Sequence, residues 1–329
     1  MKKKTINAVL CKKFDEFVSS ITDETVKNLV NKNSIITGGC ITSMLLKEDI
    51  NDFDVYFTNK ETVLAVANYY VNLFNETRDK SNGVPVDIFV MDGDKPTDRG
   101  VGSNSFQEPG RIKIYIKSAG VAGEKNEQDY QYFESRPEDE AESYTENVFN
   151  NITETDEIIA EEIETKPKYR PVFLSANAIT LSNQIQLVIR FYGDPDKIHE
   201  SYDYVHCTNY WYSKDREVVL RQGALEAILS KELIYIGSKY PLCSVIRTRK
   251  FLKRGWSINA GQYLKMLFQA SKLDLSDPKV LEDQLVGVDA AYFTQLISKI
   301  TEHQEKEKAE GRDFKLSYGY LATIIDKMF

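Results

Sequence analysis

The sequence contains no run of eighteen apolar residues, and the segment behind Met1, MKKKTINAVLCKKF, is broken by charge within ten residues. The first absence argues against a membrane-spanning helix and the second against a secretory leader, so a soluble, non-exported, cytoplasmic protein is expected. Cysteine is sparse, and Cys11, Cys40, Cys207 and Cys243 form no close pair. A disulfide framework or a zinc site is therefore disfavoured, and isolated thiols in a reducing compartment are the default. No internal repeat is visible. The double glycine Gly38-Gly39 has no GKS or GKT behind it, so there is no P-loop.

What is present is ample. At 329 residues the chain is long enough for one large or two ordinary domains with a real core. Its net charge of −8 is local: residues 121–170 hold 15 acids against 5 Lys or Arg, which leaves the remainder at about +2. A near-neutral remainder neither requires nor forbids a polyanionic partner. The acidic stretch, with the run DYQYF ahead of it, reads as a charged helical excursion or insertion.

The chain alternates between helical and strand patterns. Residues 1–34 carry apolar stripes at helical spacing, with Ser20 or Thr22 available as a cap. Thr58 is placed to cap a helix from about Lys60, whose apolar side holds Val63, Leu64, Val66, Ala67, Tyr70 and Phe74. GVPVDIFVM, containing Asp87, and the alternating run from Arg111 to Lys117 read as strands. Ser182-Asn183 marks a hairpin between two further strands, and Asp203 heads another strand pattern, Tyr202-Asp203-Tyr204-Val205. From Val218 onward the composition is helical.

The stretch with the most chemistry is Gly38 to Lys60. Asp52 and Asp54 stand at i and i+2, so a strand would place both carboxylates on one face. Carboxylates held that close repel unless a cation lies between them, and oxygen-only ligands suit Mg²⁺ or Mn²⁺. Upstream, Gly38 and Gly39 permit a turn close to a phosphate, and the helix that follows would offer its N-terminal N–H groups.

Gly38-Gly39, a short helix and then Asp52-Phe53-Asp54 in a strand resemble the nucleotidyltransferase superfamily that includes poly(A) and CCA-adding polymerases and DNA polymerase β. The segment SVIRTRKFLKRGWSI resembles the helical region behind the catalytic head of the poly(A)/CCA-type enzymes. The resemblance covers about residues 38–60 and 172–260 and extends to phage and viral members. It implies an α+β fold, a nucleotidyltransferase-like mixed sheet flanked by helices with a helical C-terminal domain, divided at about 1–217 and 218–329. It also implies a magnesium-dependent transferase that binds ATP or another NTP. Such an enzyme moves a nucleoside monophosphate to a hydroxyl, most naturally an RNA or DNA 3′ end, and releases pyrophosphate.

In that reading Asp52 and Asp54 hold the metal ions with a third acid, either Asp203 or Asp87. Gly38, Gly39, Thr42 and Ser43 meet the triphosphate, and Arg247, Lys250 and Arg254 form a phosphate-binding stripe. Cys40 departs from the pattern, because relatives carry Ser after the glycines. Two alternatives stand beside it: a catalytically silent structural or binding protein of the same fold, and an enzyme that nucleotidylates a protein or a small molecule. His206 and Cys207 point to opposite faces of a strand and are expected to be structural.

Overall fold

The computed structural model describes residues 1–77, 88–92, 112–116, 168–174 and 178–275, together with 280, 284, 306–310, 319 and 323. These residues divide into two compact units. The first holds the described residues through Glu200 and His206–Ile228, and the second holds Ser201–Val205 and the described residues from Leu229 onward.

In the first unit, helix α1 (Lys3–Ser19) buries Ile6, Leu10, Phe14, Phe17 and Val18, a stripe at helical spacing. Helix α2 (Glu24–Asn33) is capped by neither Ser20 nor Thr22 but by Asp23, whose carboxylate accepts from the Thr25 and Val26 N–H groups at 2.8 and 3.0 Å. An ionised cap also opposes the positive end of the helix dipole, an advantage the hydroxyls lack. Ser20 Oγ instead donates to the Phe17 carbonyl at 2.6 Å.

Strand β1 (Ser34–Thr37), helix α3 (Gly39–Leu46), strand β2 (Phe53–Phe57) and helix α4 (Lys60–Thr77) follow. Asn59 caps α4 in place of Thr58, accepting from the Thr62 N–H at 2.9 Å. Next come β3 (Ile88–Asp92) and β4 (Ile112–Ile116), which pair antiparallel as a separate ribbon. Then come β5 (Pro171–Leu174), β6 (Ala178–Leu181), β7 (Ile185–Tyr192), the short helix α5 (Pro195–His199), β8 (Tyr210–Tyr212), β9 (Glu217–Val219) and helix α6 (Gln222–Ser230).

The main sheet has seven strands in the order β5-β6-β7-β2-β1-β8-β9. It is mixed because β2 and β7 run parallel while the other neighbours are antiparallel. The β6–β7 hairpin turns through Asn183 and Gln184, both left-handed at φ of about 60°, a conformation that asparagine adopts more readily than most residues. The stretch ahead of it forms two strands, β5 and β6, so this sheet edge is a three-stranded meander. Val63, Val66, Ala67, Tyr70 and Phe74 of α4 join α1, α2 and the sheet in one core around Trp211. Burying each such side chain contributes roughly 1.5–3 kcal/mol.

The second unit holds α7 (Pro241–Lys253) and α8 (Ala260–Ala270). Its buried side chains include Tyr204, Leu233, Tyr235, Cys243, Trp256 and Met266. The segment Tyr202 to Val205 forms no strand. Tyr204 makes a single bridge to Tyr235, and a 3₁₀ turn begins at Val205. The α+β class, the mixed sheet flanked by helices and the helical C-terminal region are thus observed.

Candidate functional site

Strand β1 ends at Thr37, which lies opposite Asp54 of β2 in the register. The chain then turns at Gly38, with φ +92°, a backbone state that a Cβ would strain. The Gly38 N–H donates to the Cys207 carbonyl at 3.2 Å, which ties the turn to the 205–207 segment. Gly39 opens α3 without a positive φ, and a Cβ added there would meet nothing within 4 Å. The space beside it is open, so close packing does not require this glycine.

Cys40 lies inside this turn, buried, with its thiol directed at the Thr37 carbonyl at 3.8 Å. Burial pushes the thiol well above its ordinary range, and the nearby charges of Asp54 and Asp52 push it further, so Cys40 is a neutral thiol. The structure therefore brings Gly38, Cys40, Asp52 and Asp54 into one neighbourhood. Asp54 is half-buried in β2, and Asp52 lies one residue ahead of that strand. Thr42 and Ser43 are buried on α3, and Thr42 Oγ1 donates to the His206 carbonyl at 2.8 Å.

Asp203 belongs to the second unit, where Arg247 Nη1 approaches its carboxylate to 2.5 Å. Only 10% of that carboxylate is exposed, so Arg247 neutralises a charge that has little water around it. Lys250 is exposed on α7, and the Arg254 guanidinium lies 5.9 Å from the centre of the Phe251 ring. Asp87 falls outside the described residues.

Among the described residues no group of three or more His, Cys, Asp or Glu is placed to hold a metal ion. The expected Mg²⁺ or Mn²⁺ thus finds no such group among the described residues, where the Asp203 carboxylate is engaged by Arg247.

A polar hub, overlooked in the sequence, stands at the end of β1. Thr37 Oγ1 lies 2.9 Å from the Asn209 carbonyl and 2.8 Å from His199 Nε2. A hydroxyl has one proton, and the carbonyl can only accept it, so His199 Nε2 carries hydrogen and donates to Thr37. Burial and then the Arg221 charge lower the His199 pKa to about 4 against the opposing pull of Asp196, so the imidazole is neutral. Arg221 pairs with Asp196 and lies 5.5 Å from the centre of the Tyr210 ring. Asp194 caps α5 by accepting from the Lys197 N–H at 2.9 Å, and an Asp-Pro pair at a helix start was the available signal. His206 is buried, in keeping with a structural role.

Fold and site together define an α+β protein with a mixed, helix-flanked sheet, a glycine turn beside two carboxylates, and no three-ligand metal centre among its described residues. A family model described as Gad2, Gabija anti-defense 2 family protein, matches residues 8–231, and the chain belongs to that family. No curated protein matches the chain significantly.

Membership overturns the nucleotidyltransferase resemblance and what followed from it: the Mg²⁺-dependent transferase activity, ATP or NTP as substrate, and a bound metal. The glycine turn and the acid pair are local features of about twenty residues, whereas the family match spans nearly the whole first unit. No helix among the described residues is long and apolar enough to cross a membrane.

Proposed function

We propose that this chain counters the defence called Gabija. The observation that carries the reading is the family match over residues 8–231, which runs from within α1 through α6 and takes in the whole seven-stranded sheet. A match of that extent follows the buried framework of a domain rather than a short motif, so it supports the activity named for the family more strongly than any single site residue does.

The chemistry of the first unit is consistent with a protein whose family-matched part is a scaffold. Its polar cluster of Thr37, His199, Asn209 and Arg221 holds β1, α5, β8 and the start of α6 together. Hydrogen bonds between segments so far apart in sequence favour one arrangement of the chain.

The test is expression of the chain in cells that Gabija protects, scored by survival under the challenge from which Gabija protects them. Protection should fall when the intact chain is present. It should persist with a chain carrying Phe14→Ala and Trp211→Ala, which removes two contacting core rings 4.8 Å apart. Unchanged protection beside the intact, expressed chain would sink the reading.

A further inference from the structure

Helix α8 is inside out. Its inward positions are Gln262, Met266 and Gln269, and only Met266 is fully buried. The two glutamines are engaged with the body of the unit: Gln262 Oε1 accepts from the Tyr235 N–H at 2.9 Å, Gln269 Oε1 accepts from the Ser238 N–H at 3.2 Å, and Gln269 Nε2 donates to the Ser238 carbonyl. The opposite side carries Tyr263, Leu264, Leu267 and Phe268, with Leu264, Leu267 and Phe268 at 52, 60 and 70% exposure. At 100° per residue these four positions cover about 140° of the helix, a continuous apolar stripe turned to solvent.

An amphipathic helix that packs its amides and displays its leucines has its apolar side available to something else. The charge of the surrounding segment says what. From Pro241 to Leu273 there are seven Lys or Arg and no Asp or Glu, in a chain whose net charge is −8. Arg249, Lys250 and Lys253 are exposed on α7.

Among the described residues beyond α8, one is buried. That residue, Gln284, docks at the start of α7, donating to the Lys239 carbonyl at 2.9 Å and accepting from the Cys243 thiol at 2.7 Å. The described residues 306–310, 319 and 323 are exposed or partly so.

The geometry points to the outward face of α8, with the cations of α7, as a docking surface for a protein that presents an apolar groove with an acidic rim. Resting on the counter-Gabija reading above, it assigns that partner to a protein component of the defence. Exposed aromatic and aliphatic side chains on a cationic segment suit a protein surface that is apolar at its centre and acidic at its edge. A nucleic-acid backbone would match the cations but leave Leu264 and Leu267 without a counterpart, which favours protein.

The experiment uses the full chain, purified proteins of the Gabija defence as probe, and two variants, Leu267→Asp/Phe268→Asp and Arg249→Glu/Lys250→Glu/Lys253→Glu. The intact chain should bind one of those proteins. The apolar variant should lose about tenfold or more in affinity while its melting temperature stays within about 2 °C of the parent. The charge-reversed variant should bind more weakly at low salt and lose the salt dependence seen with the parent.

Affinity unchanged in both variants overturns the proposal, as does binding to nucleic acid alone. A large drop in melting temperature with the apolar variant, or a dimer mass for the parent that the variant loses, would mean that residues 276–329 or a second copy cover the face, and would overturn it too. Survival assays separate this claim from the one beneath it. If the parent and both variants remove protection equally, the surface is wrong and the function stands; if the parent does not remove protection, the function itself fails.

Discussion

Helix α8 of the second unit places its apolar side chains in the opposite way from the helices of the first. In the first, Ile6, Leu10, Phe14, Phe17 and Trp211 are entirely excluded from water, and among the described residues every helix of ten or more residues buries its stripe in one core. In the second, α8 buries one methionine between two glutamines and exposes Leu264, Leu267 and Phe268. The family match covers the first unit almost completely and stops at residue 231, ahead of α7 and α8. The contrast separates a scaffold, held by burial, from a surface whose apolar side chains do little for the stability of the chain that carries them.

The sharpest way to break that comparison is at the ring pair in the first core. Phe14→Ala removes a side chain whose ring packs tilted against Trp211, 4.8 Å between centres, with both excluded from water. A loss of about 3–5 kcal/mol in urea unfolding is expected, because the cavity adds to the lost transfer energy. A loss under about 1 kcal/mol would mean that the first unit is not the rigid scaffold described here.

Next in size is a pH effect centred on His199. Above pH 6.5 the imidazole is neutral whether the chain is folded or not, so it adds nothing to the pH dependence. Between 6.5 and about 4 the unfolded chain takes up a proton that the folded chain refuses, so stability falls as pH drops through that window. The full loss is on the order of 3 kcal/mol. His199→Asn should flatten this part of the stability profile while leaving the rest in place. A parent profile already flat from pH 6.5 to 4 would show that the hub accepts the proton.

In the second unit the corresponding polar feature is the ion pair of Asp203 with Arg247. Arg247→Met leaves a carboxylate with 10% of its surface exposed and no counter-charge, and about 2 kcal/mol of destabilisation is expected. Adding Asp203→Asn should recover most of it, since the amide no longer needs a cation. Recovery of nothing would assign the loss to packing of the Arg247 stem instead.

Much of the fold was legible because burial in the first unit follows simple periods. The stripes of α1 and α4 and the turn at Asn183 could be read from the sequence and are observed. Caps were misassigned to hydroxyls where Asp23 and Asn59 serve, since several cap-competent residues crowd each helix start and only the backbone geometry selects one. Asp203 looked like a strand residue through its alternating tyrosines. Those rings are buried by a single bridge and the α7 helix, where Tyr204 donates to the Ser244 carbonyl at 2.9 Å.

The site was less legible for a different reason. Spacing put Asp52 and Asp54 together, but a third ligand has to come from a distant part of the chain, and sequence does not reveal that Arg247 lies against Asp203. The inversion of α8 is equally hidden. GQYLKMLFQA gives the same periodicity whichever side faces inward, and only the hydrogen bonds of Gln262 and Gln269 decide it.

The smallest expected effect tests that inversion directly. Leu267→Ala and Phe268→Ala, made together, delete two large apolar side chains that are 60 and 70% exposed. In the first unit a comparable deletion removes several kcal/mol. Here each side chain already meets water in the folded chain, so little transfer energy is recovered on unfolding, and the change should stay within about 0.5 kcal/mol. Gln269→Leu is the converse: it replaces an amide that contacts both the N–H and the carbonyl of Ser238 with a side chain unable to pair with either. Those backbone groups would then be left unsatisfied, for a loss of roughly 1–3 kcal/mol. A helix that tolerates losing its leucines and not its glutamine is held by its polar side. The reverse order of effects would mean that α8 packs through its apolar stripe, and that the second unit is built on the same plan as the first.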